Sequence, residues 1–130
     1  MNEPIWPDIE AFLDGLNTMD FIPATGLILN DRGALESALY RPVNLYHYEN
    51  EEHTIFRYAA EYAFGLTRNH PFLDGNKRAS LCSALCFLYL NGYELKASND
   101  EIFENIISIT KNQCTIQEFE TWLESKSQSL

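Results

Sequence analysis

Residues 70–78 gather one imidazole, one carboxylate and two cationic side chains around a glycine turn. The segment reads His70-Pro71-Phe72-Leu73-Asp74-Gly75-Asn76-Lys77-Arg78. Histidine is the side chain best suited to take a proton near neutral pH, and a carboxylate such as Asp74 is an oxygen ligand that magnesium accepts. The segment predicts a site for a phosphorylated, metal-bound ligand beside a hydroxyl group to be activated.

The glycine turn directly precedes a predicted apolar helix, whose first amides have no partners within the helix and attract anions. Gly75 permits a positive φ and a close approach of a phosphate to the backbone. Asn76 can donate a further hydrogen bond, and the forked guanidinium of Arg78 suits a terminal phosphate. The residues therefore predict an anion-binding nest next to His70.

Each of these residues also has an ordinary structural explanation. Asp74 could cap the helix, Lys77 and Arg78 could be solvated surface cations, and His70 could be a solvated loop residue. At about one in twenty per position, a chance match of seven specified residues has a probability on the order of 10⁻⁹. Their joint occurrence favours the functional interpretation.

The composition indicates a single acidic domain. A chain of 130 residues with 45% hydrophobic content suits one compact domain over residues 1–130. The formal charge of −10 argues against nucleic acid as the main partner, because phosphate contacts require a basic face. Basic residues concentrate near the motif, where Asp74 is the only acid between residues 66 and 80.

The three cysteines indicate a reduced protein. Cys82 and Cys86 lie at i and i+4 of an apolar helix, which favours buried thiols over a zinc site. No basic leader with an apolar core opens the sequence, and the longest apolar stretch is too short to span a bilayer. We expect a cytoplasmic protein without membrane contact.

Hydrophobic periodicity predicts an all-α protein of about six helices. The first four helices are predicted over residues 8–19, 31–40, 52–69 and 76–91, and the last two follow capping boxes that begin at Ser98 and Thr115. The second helix should stop before Arg41-Pro42, and the third should end at His70 because Pro71 disfavours the α conformation there. Residues 21–29 are predicted as a small hairpin or extended flap.

The segment from His70 to Arg78 resembles the Fic motif, His-x-Phe-x-Asp/Glu-Gly-Asn-Gly/Lys-Arg. The chain as a whole is similar to the short Doc, or death-on-curing, branch of the Fic/Doc family. Two further segments carry the likeness: Asp31-x-Gly33-x-Leu35-Glu36-Ser37-Ala38-Leu39 before Arg41-Pro42, and Asn91-Gly92-Tyr93. The resemblance covers residues 9–123.

The resemblance implies an all-α fold with a small β-hairpin flap and an enzyme that moves part of a nucleotide, commonly AMP from ATP, onto a hydroxyl of a target protein. By this resemblance, His70 is the general base and Asp74 binds magnesium. Gly75, Asn76 and Lys77 form the phosphate nest, and Arg78 holds the outer phosphate. The flap lies near residues 25–29, and its Thr25, Gly26 and Leu27 dock the target by strand-like pairing.

Two reactions stay open under this resemblance. Gly75 favours AMP transfer, since the Doc toxin carries alanine at this position and resembles a kinase that phosphorylates a translation factor. The short length and Lys77 favour phosphate transfer. A non-catalytic nucleotide-binding module that docks a partner protein is the alternative class.

The sequence also lacks the self-inhibitory Ser/Thr-x-x-x-Glu-Gly/Asn helix of many family members. Its Glu-Asn pairs, at Glu49 and Glu104, have Leu45 and Asp100 four residues before the glutamate. The resemblance therefore implies restraint by a separate antitoxin protein.

Overall fold

The structure, a computed structural model, describes residues 3–17, 29–49 and 52–130. Within these ranges the chain forms six α-helices and two short strands. In chain order they are α1 (Ile9–Asn17), α2 (Arg32–Tyr48), α3 (Ile55–Asn69), α4 (Asn76–Leu90), β1 (Tyr93–Leu95), α5 (Asn99–Thr110), α6 (Ile116–Lys126) and β2 (Ser127–Ser129). The predicted all-α architecture of six helices is confirmed.

Helix α3 lies at the centre and packs against α2, α4, α5 and α6. Small residues on α3 let the neighbouring helices approach closely. A Cβ atom added to Gly65 would lie 3.4 Å from the side chain of Ala38, already in van der Waals contact, so α2 and α3 approach closely at this point. Large buried side chains such as Tyr58, Tyr62 and Phe87 fill the remaining space. The core therefore holds the end of α3 and the start of α4 together.

The two strands pair antiparallel, with Tyr93 opposite Ser129 and Leu95 opposite Ser127. This pair joins the chain after α4 to the chain after α6 and is not the flap expected at residues 25–29. Of that flap, Thr25, Gly26 and Leu27 lie outside the described residues, whereas Leu29 lies within them.

The prediction that α2 stops before Arg41-Pro42 is wrong, because α2 continues to Tyr48 with Pro42 inside it. An interior proline leaves one carbonyl of the helix without its N–H partner and costs about 3 kcal/mol. Here Pro42 is fully buried, and Leu45 and Tyr46 beyond it pack against the core. These tertiary contacts offset the local penalty.

Side-chain caps begin five of the described helices, where Asp8, Asp31, Thr54, Ser98 and Thr115 each accept from the backbone N–H three residues on. The capping box at Thr115 is complete. The Glu118 carboxylate accepts a hydrogen bond from the Thr115 N–H, and Thr115 Oγ1 accepts one from the Glu118 N–H. Ser98 accepts from the Glu101 N–H, but the Glu101 carboxylate turns to α6, where it accepts from Trp122 Nε1 at 3.3 Å. The first of the two predicted boxes is therefore only half formed.

The three cysteines are free thiols. Burial raises the pKa of the thiols of Cys82 and Cys86. Cys82 is a core residue as predicted, whereas Cys86 is only partly buried. Across the described ranges, no group of three or more His, Cys, Asp and Glu side chains is placed to hold a metal ion. None of the helices in these ranges is long and apolar enough to cross a membrane.

A buried carboxylate ties α2 to α3. Glu61 is 3% exposed and accepts from Arg41 Nε at 2.9 Å and from Arg57 Nε at 3.2 Å. Two cationic partners satisfy both of its oxygens, which is the condition under which a buried charge is tolerated. Arg41 reaches it from α2, so the ion pair fixes α2 to α3 at the residue directly before Pro42.

We expect Glu61→Gln to lower the free energy of unfolding by about 1–3 kcal/mol, because the new amide turns a donor toward one of the two guanidinium groups. Urea denaturation followed by circular dichroism measures the loss. The matched control is Glu36→Gln, which removes an exposed carboxylate 3.2 Å from Arg32 and should cost less than about 0.5 kcal/mol. Equal losses of unfolding free energy in both variants would show that Glu61 contributes no more to stability than an exposed carboxylate.

Candidate active site

Helix α3 ends at His70, as the sequence predicts. The His70 N–H still donates to Leu66 O at 3.1 Å, but its backbone has φ 51° and ψ 55°. This is the left-handed region, whereas a residue before proline more often adopts an extended conformation. The turn carries the exposed imidazole out of the helical line and directs the chain toward α4.

The loop between α3 and α4 is attached to the segment that leads into α2. Pro71 O accepts from the N–H groups of Asn30 and Asp31 at 2.9 and 3.0 Å, and Leu29 forms an antiparallel bridge with Phe72. The Phe72 ring is 1% exposed and lies in the core. Leu29, the one residue of the predicted flap within the described ranges, thus lies beside the motif loop.

Asn76 closes the loop from inside. Its side chain is 5% exposed, its Oδ1 accepts from Phe72 N at 3.0 Å, and its Nδ2 donates to Phe72 O at 2.8 Å. The same Nδ2 lies 3.1 Å from His70 Nδ1. The Asn76 side chain is therefore engaged within the loop, and its backbone N–H is the group that faces the predicted nest.

Hydroxyl groups fix the first turn of α4 to α3. Ser80 Oγ donates to Asn76 O at 2.9 Å and lies 2.9 Å from Thr67 Oγ1. Because the Ser80 hydroxyl has one proton, Thr67 is the donor in the second contact. The sequence gives no signal for this contact, since it joins two helices through residues thirteen positions apart. Thr67 and Ser80 are thus supporting residues that sequence reasoning missed.

The start of α4 presents unpaired amides. Gly75 has φ 83°, and its own N–H donates to Asp74 Oδ1 at 2.8 Å. Among the described residues, no acceptor pairs with the N–H groups of Asn76, Lys77 and Arg78, the first three of the helix. Three amides and a positive helix end form the arrangement that binds phosphate groups.

The site residues predicted within the motif meet in one cavity of about 340 Å³, whereas the predicted docking residues Thr25, Gly26 and Leu27 lie outside the described residues. The lining residues of this cavity are His70, Leu73, Asp74, Gly75, Asn76, Lys77 and Arg78. A second cavity of about 220 Å³ shares His70, Asn76 and Lys77 with the first and adds Thr67 and Thr110. His70 therefore lines both concave surfaces. Larger depressions of about 560 and 580 Å³ lie elsewhere and contain none of the motif residues.

The charges of the site suit an anion with its metal. Lys77 and Arg78 are exposed, and no carboxylate of the described residues lies within ion-pair distance of either. Asp74 is exposed and is the only carboxylate that lines the cavity. Magnesium that arrives on phosphates commonly needs one or two protein carboxylates, so this donor set fits such an ion.

The described residues form an all-α protein of six helices. The loop that contains His70 precedes α4, and the first three amides of α4 are unpaired among the described residues. The Fic/DOC family model matches residues 9–88, more than half of the chain, and the chain belongs to this family. It is also similar to "Toxin Doc" of Mycolicibacterium smegmatis, with 35% identity over 74 residues. That match covers 57% of this chain and 57% of the relative, so it spans little more than half the length of either.

We expect Phe72→Ala to lower the free energy of unfolding by about 3–5 kcal/mol, because it removes a fully buried ring. Leu73→Ala is the matched control, because Leu73 is the neighbouring apolar residue of the same loop but is 62% exposed. Its truncation should change stability by less than about 0.5 kcal/mol. Urea denaturation compares the two, and a large loss in the Leu73 variant would contradict this placement of the loop.

Proposed function

We propose that this chain is a toxin-like, nucleotide-dependent protein transferase. It transfers AMP or phosphate from magnesium-bound ATP to a hydroxyl group of a target protein. The observation that supports this most is the convergence of the His70 imidazole, the Asp74 carboxylate and three unpaired amides in one cavity. Membership of the Fic/DOC family and the name of the relative point in the same direction.

In this proposal, His70 takes the proton of the target hydroxyl as its oxygen attacks phosphorus. The amides at the start of α4 hold the phosphate oxygens, where negative charge develops during the transfer. Arg78 holds the outer phosphate with its guanidinium fork. The leaving group is pyrophosphate when AMP moves and ADP when phosphate moves.

Asp74 would hold the magnesium ion. One Asp74 oxygen already accepts from the Gly75 N–H, so the carboxylate is oriented toward the cavity before any ion arrives. The bound ion would offset the charge of the phosphates. The single carboxylate suits an ion that the nucleotide brings rather than one that the protein alone retains.

AMP transfer and phosphate transfer differ in which phosphorus faces His70. Both use the same nest, and Gly75 with its positive φ suits a close backbone approach in either case. Lys77 favours the kinase reaction, and Gly75 favours adenylylation. Which phosphate of ATP is transferred distinguishes the two reactions.

The partners follow from the same proposal. The target is a protein, a translation factor being one candidate, and it would dock at the flap near Thr25, Gly26 and Leu27. A separate antitoxin would restrain the enzyme in the cytoplasm, because the sequence has no inhibitory helix of its own. The net charge of −10 gives no support to nucleic acid as a partner.

We expect ATP labelled at the α or the γ phosphate to label a target protein in a lysate, and the label that transfers identifies the reaction. His70→Ala should reduce labelling by about 10²–10⁴-fold, the usual contribution of a general base. His47→Ala, which removes an exposed histidine on α2, should leave it unchanged. ATP binding without any His70-dependent label would favour the non-catalytic module.

We also expect that production of the protein arrests bacterial growth and that His70→Ala relieves the arrest. Growth curves after induction measure the effect, with protein levels matched by immunoblot. The His47→Ala variant should arrest growth like the wild type. If the His70 variant were equally toxic, catalysis would not be the cause of the arrest.

A further inference from the structure

We propose that Asn76 is a positioning residue that determines which nitrogen of His70 carries the proton. In the free protein it holds the imidazole with the proton on Nε2 and the lone pair on Nδ1. The assignment of the tautomer rests on geometry alone. Its meaning for catalysis rests on the proposed function, in which His70 is the base.

The orientation of the Asn76 amide is determined by the backbone of Phe72. Oδ1 faces the Phe72 N–H at 3.0 Å and Nδ2 faces the Phe72 carbonyl at 2.8 Å. Rotating the amide by half a turn would place donor against donor and acceptor against acceptor. Both Phe72 contacts therefore select the same orientation.

The second proton of Nδ2 then points to the imidazole, because the first one is donated to the Phe72 carbonyl. Nδ2 lies 3.1 Å from His70 Nδ1, so Nδ1 must accept this proton. A neutral imidazole that accepts at one nitrogen carries its own proton on the other. The opposite tautomer would bring two N–H groups face to face at 3.1 Å.

Burial keeps this contact in place. Asn76 is 5% exposed, and its backbone carbonyl accepts from Ser80 Oγ at 2.9 Å. Water has little access to the Nδ2 group, and an amide proton without a partner is costly in such surroundings. The imidazole is the exposed partner, so it is the ring that adapts to the amide.

The contact restrains the proposed base. While it is intact, the Nδ1 lone pair is engaged and Nε2 is already protonated, so neither nitrogen is free to accept the hydroxyl proton. Nε2 instead donates toward an incoming ligand. His70 becomes a base when the contact to Asn76 opens, and the O–H bond of the target then breaks as an N–H bond forms on the imidazole.

Long-range ¹H–¹⁵N spectra of the uniformly ¹⁵N-labelled protein above neutral pH test the assignment. In the wild type, Nδ1 should have the chemical shift of an unprotonated nitrogen and Nε2 that of a protonated one. A coupling across the hydrogen bond should also connect Asn76 Nδ2 with His70 Nδ1. Finding the proton on Nδ1 in the wild type would overturn the proposal.

Free histidine already favours the proton on Nε2, so the wild-type tautomer by itself does not prove that Asn76 determines it. The Asn76→Asp variant provides the decisive comparison. A carboxylate only accepts, so the proton should move to Nδ1 and the shifts of the two ring nitrogens should exchange. The matched control is Asn69→Asp, one residue before His70, whose Nδ2 donates to Ala34 O at 3.0 Å. It introduces the same charge and loses a similar bond, but should leave the proton on Nε2.

A folded Asn76→Asp protein with the wild-type tautomer would contradict the inference. If circular dichroism shows that this variant does not fold, the coupling between Asn76 and His70 in the wild type decides: its presence supports the contact and its absence, with both signals assigned, excludes it. None of these spectra needs a substrate, so a failure of the labelling experiment would leave this inference standing, and the reverse also holds.

Discussion

The clamp of the Asn76 side chain on both backbone polar groups of Phe72 is the interaction on which the site depends. One buried amide closes a short loop between two central helices and leaves neither backbone group unpaired. The Phe72 ring anchors the same loop in the core. With the middle of the loop held in this way, His70 at one end and the amides of α4 at the other keep a defined separation.

Contacts with the surrounding helices hold the motif loop and the Asn76 side chain in place. Pro71 O receives two N–H groups from the segment before α2, and the hydroxyl contact of Thr67 with Ser80 links α3 to α4. Glu61 binds α2 to α3 through two arginines. Local polar contacts thus set the positions of the catalytic candidates, whereas apolar packing sets the positions of the helices that carry them.

Much of this arrangement could be predicted from local sequence rules. The end of α3 at His70 follows from Pro71, and the caps follow from hydroxyl or carboxylate side chains in front of apolar runs. The continuation of α2 through Pro42 could not be predicted, because the contacts that stabilise it come from other elements. The exposure of Leu73 and the inward direction of the Asn76 amide could not be predicted either, because both depend on the three-dimensional course of the loop.

Lys77 and Arg78, which have no carboxylate partner among the described residues, have an electrostatic consequence for ligand capture. The molecule carries a net charge of −10, and Lys77 and Arg78 form a positive region at the cavity. A phosphate ligand is therefore repelled at a distance and attracted only near the site. The Debye length is about 10 Å at 0.1 M salt, so salt removes the long-range repulsion more effectively than the short-range attraction. Moderate ionic strength should thus speed the association of a phosphate ligand with the site. Because the attraction acts only at short range, the site should retain only anions that can also bind the amides of α4.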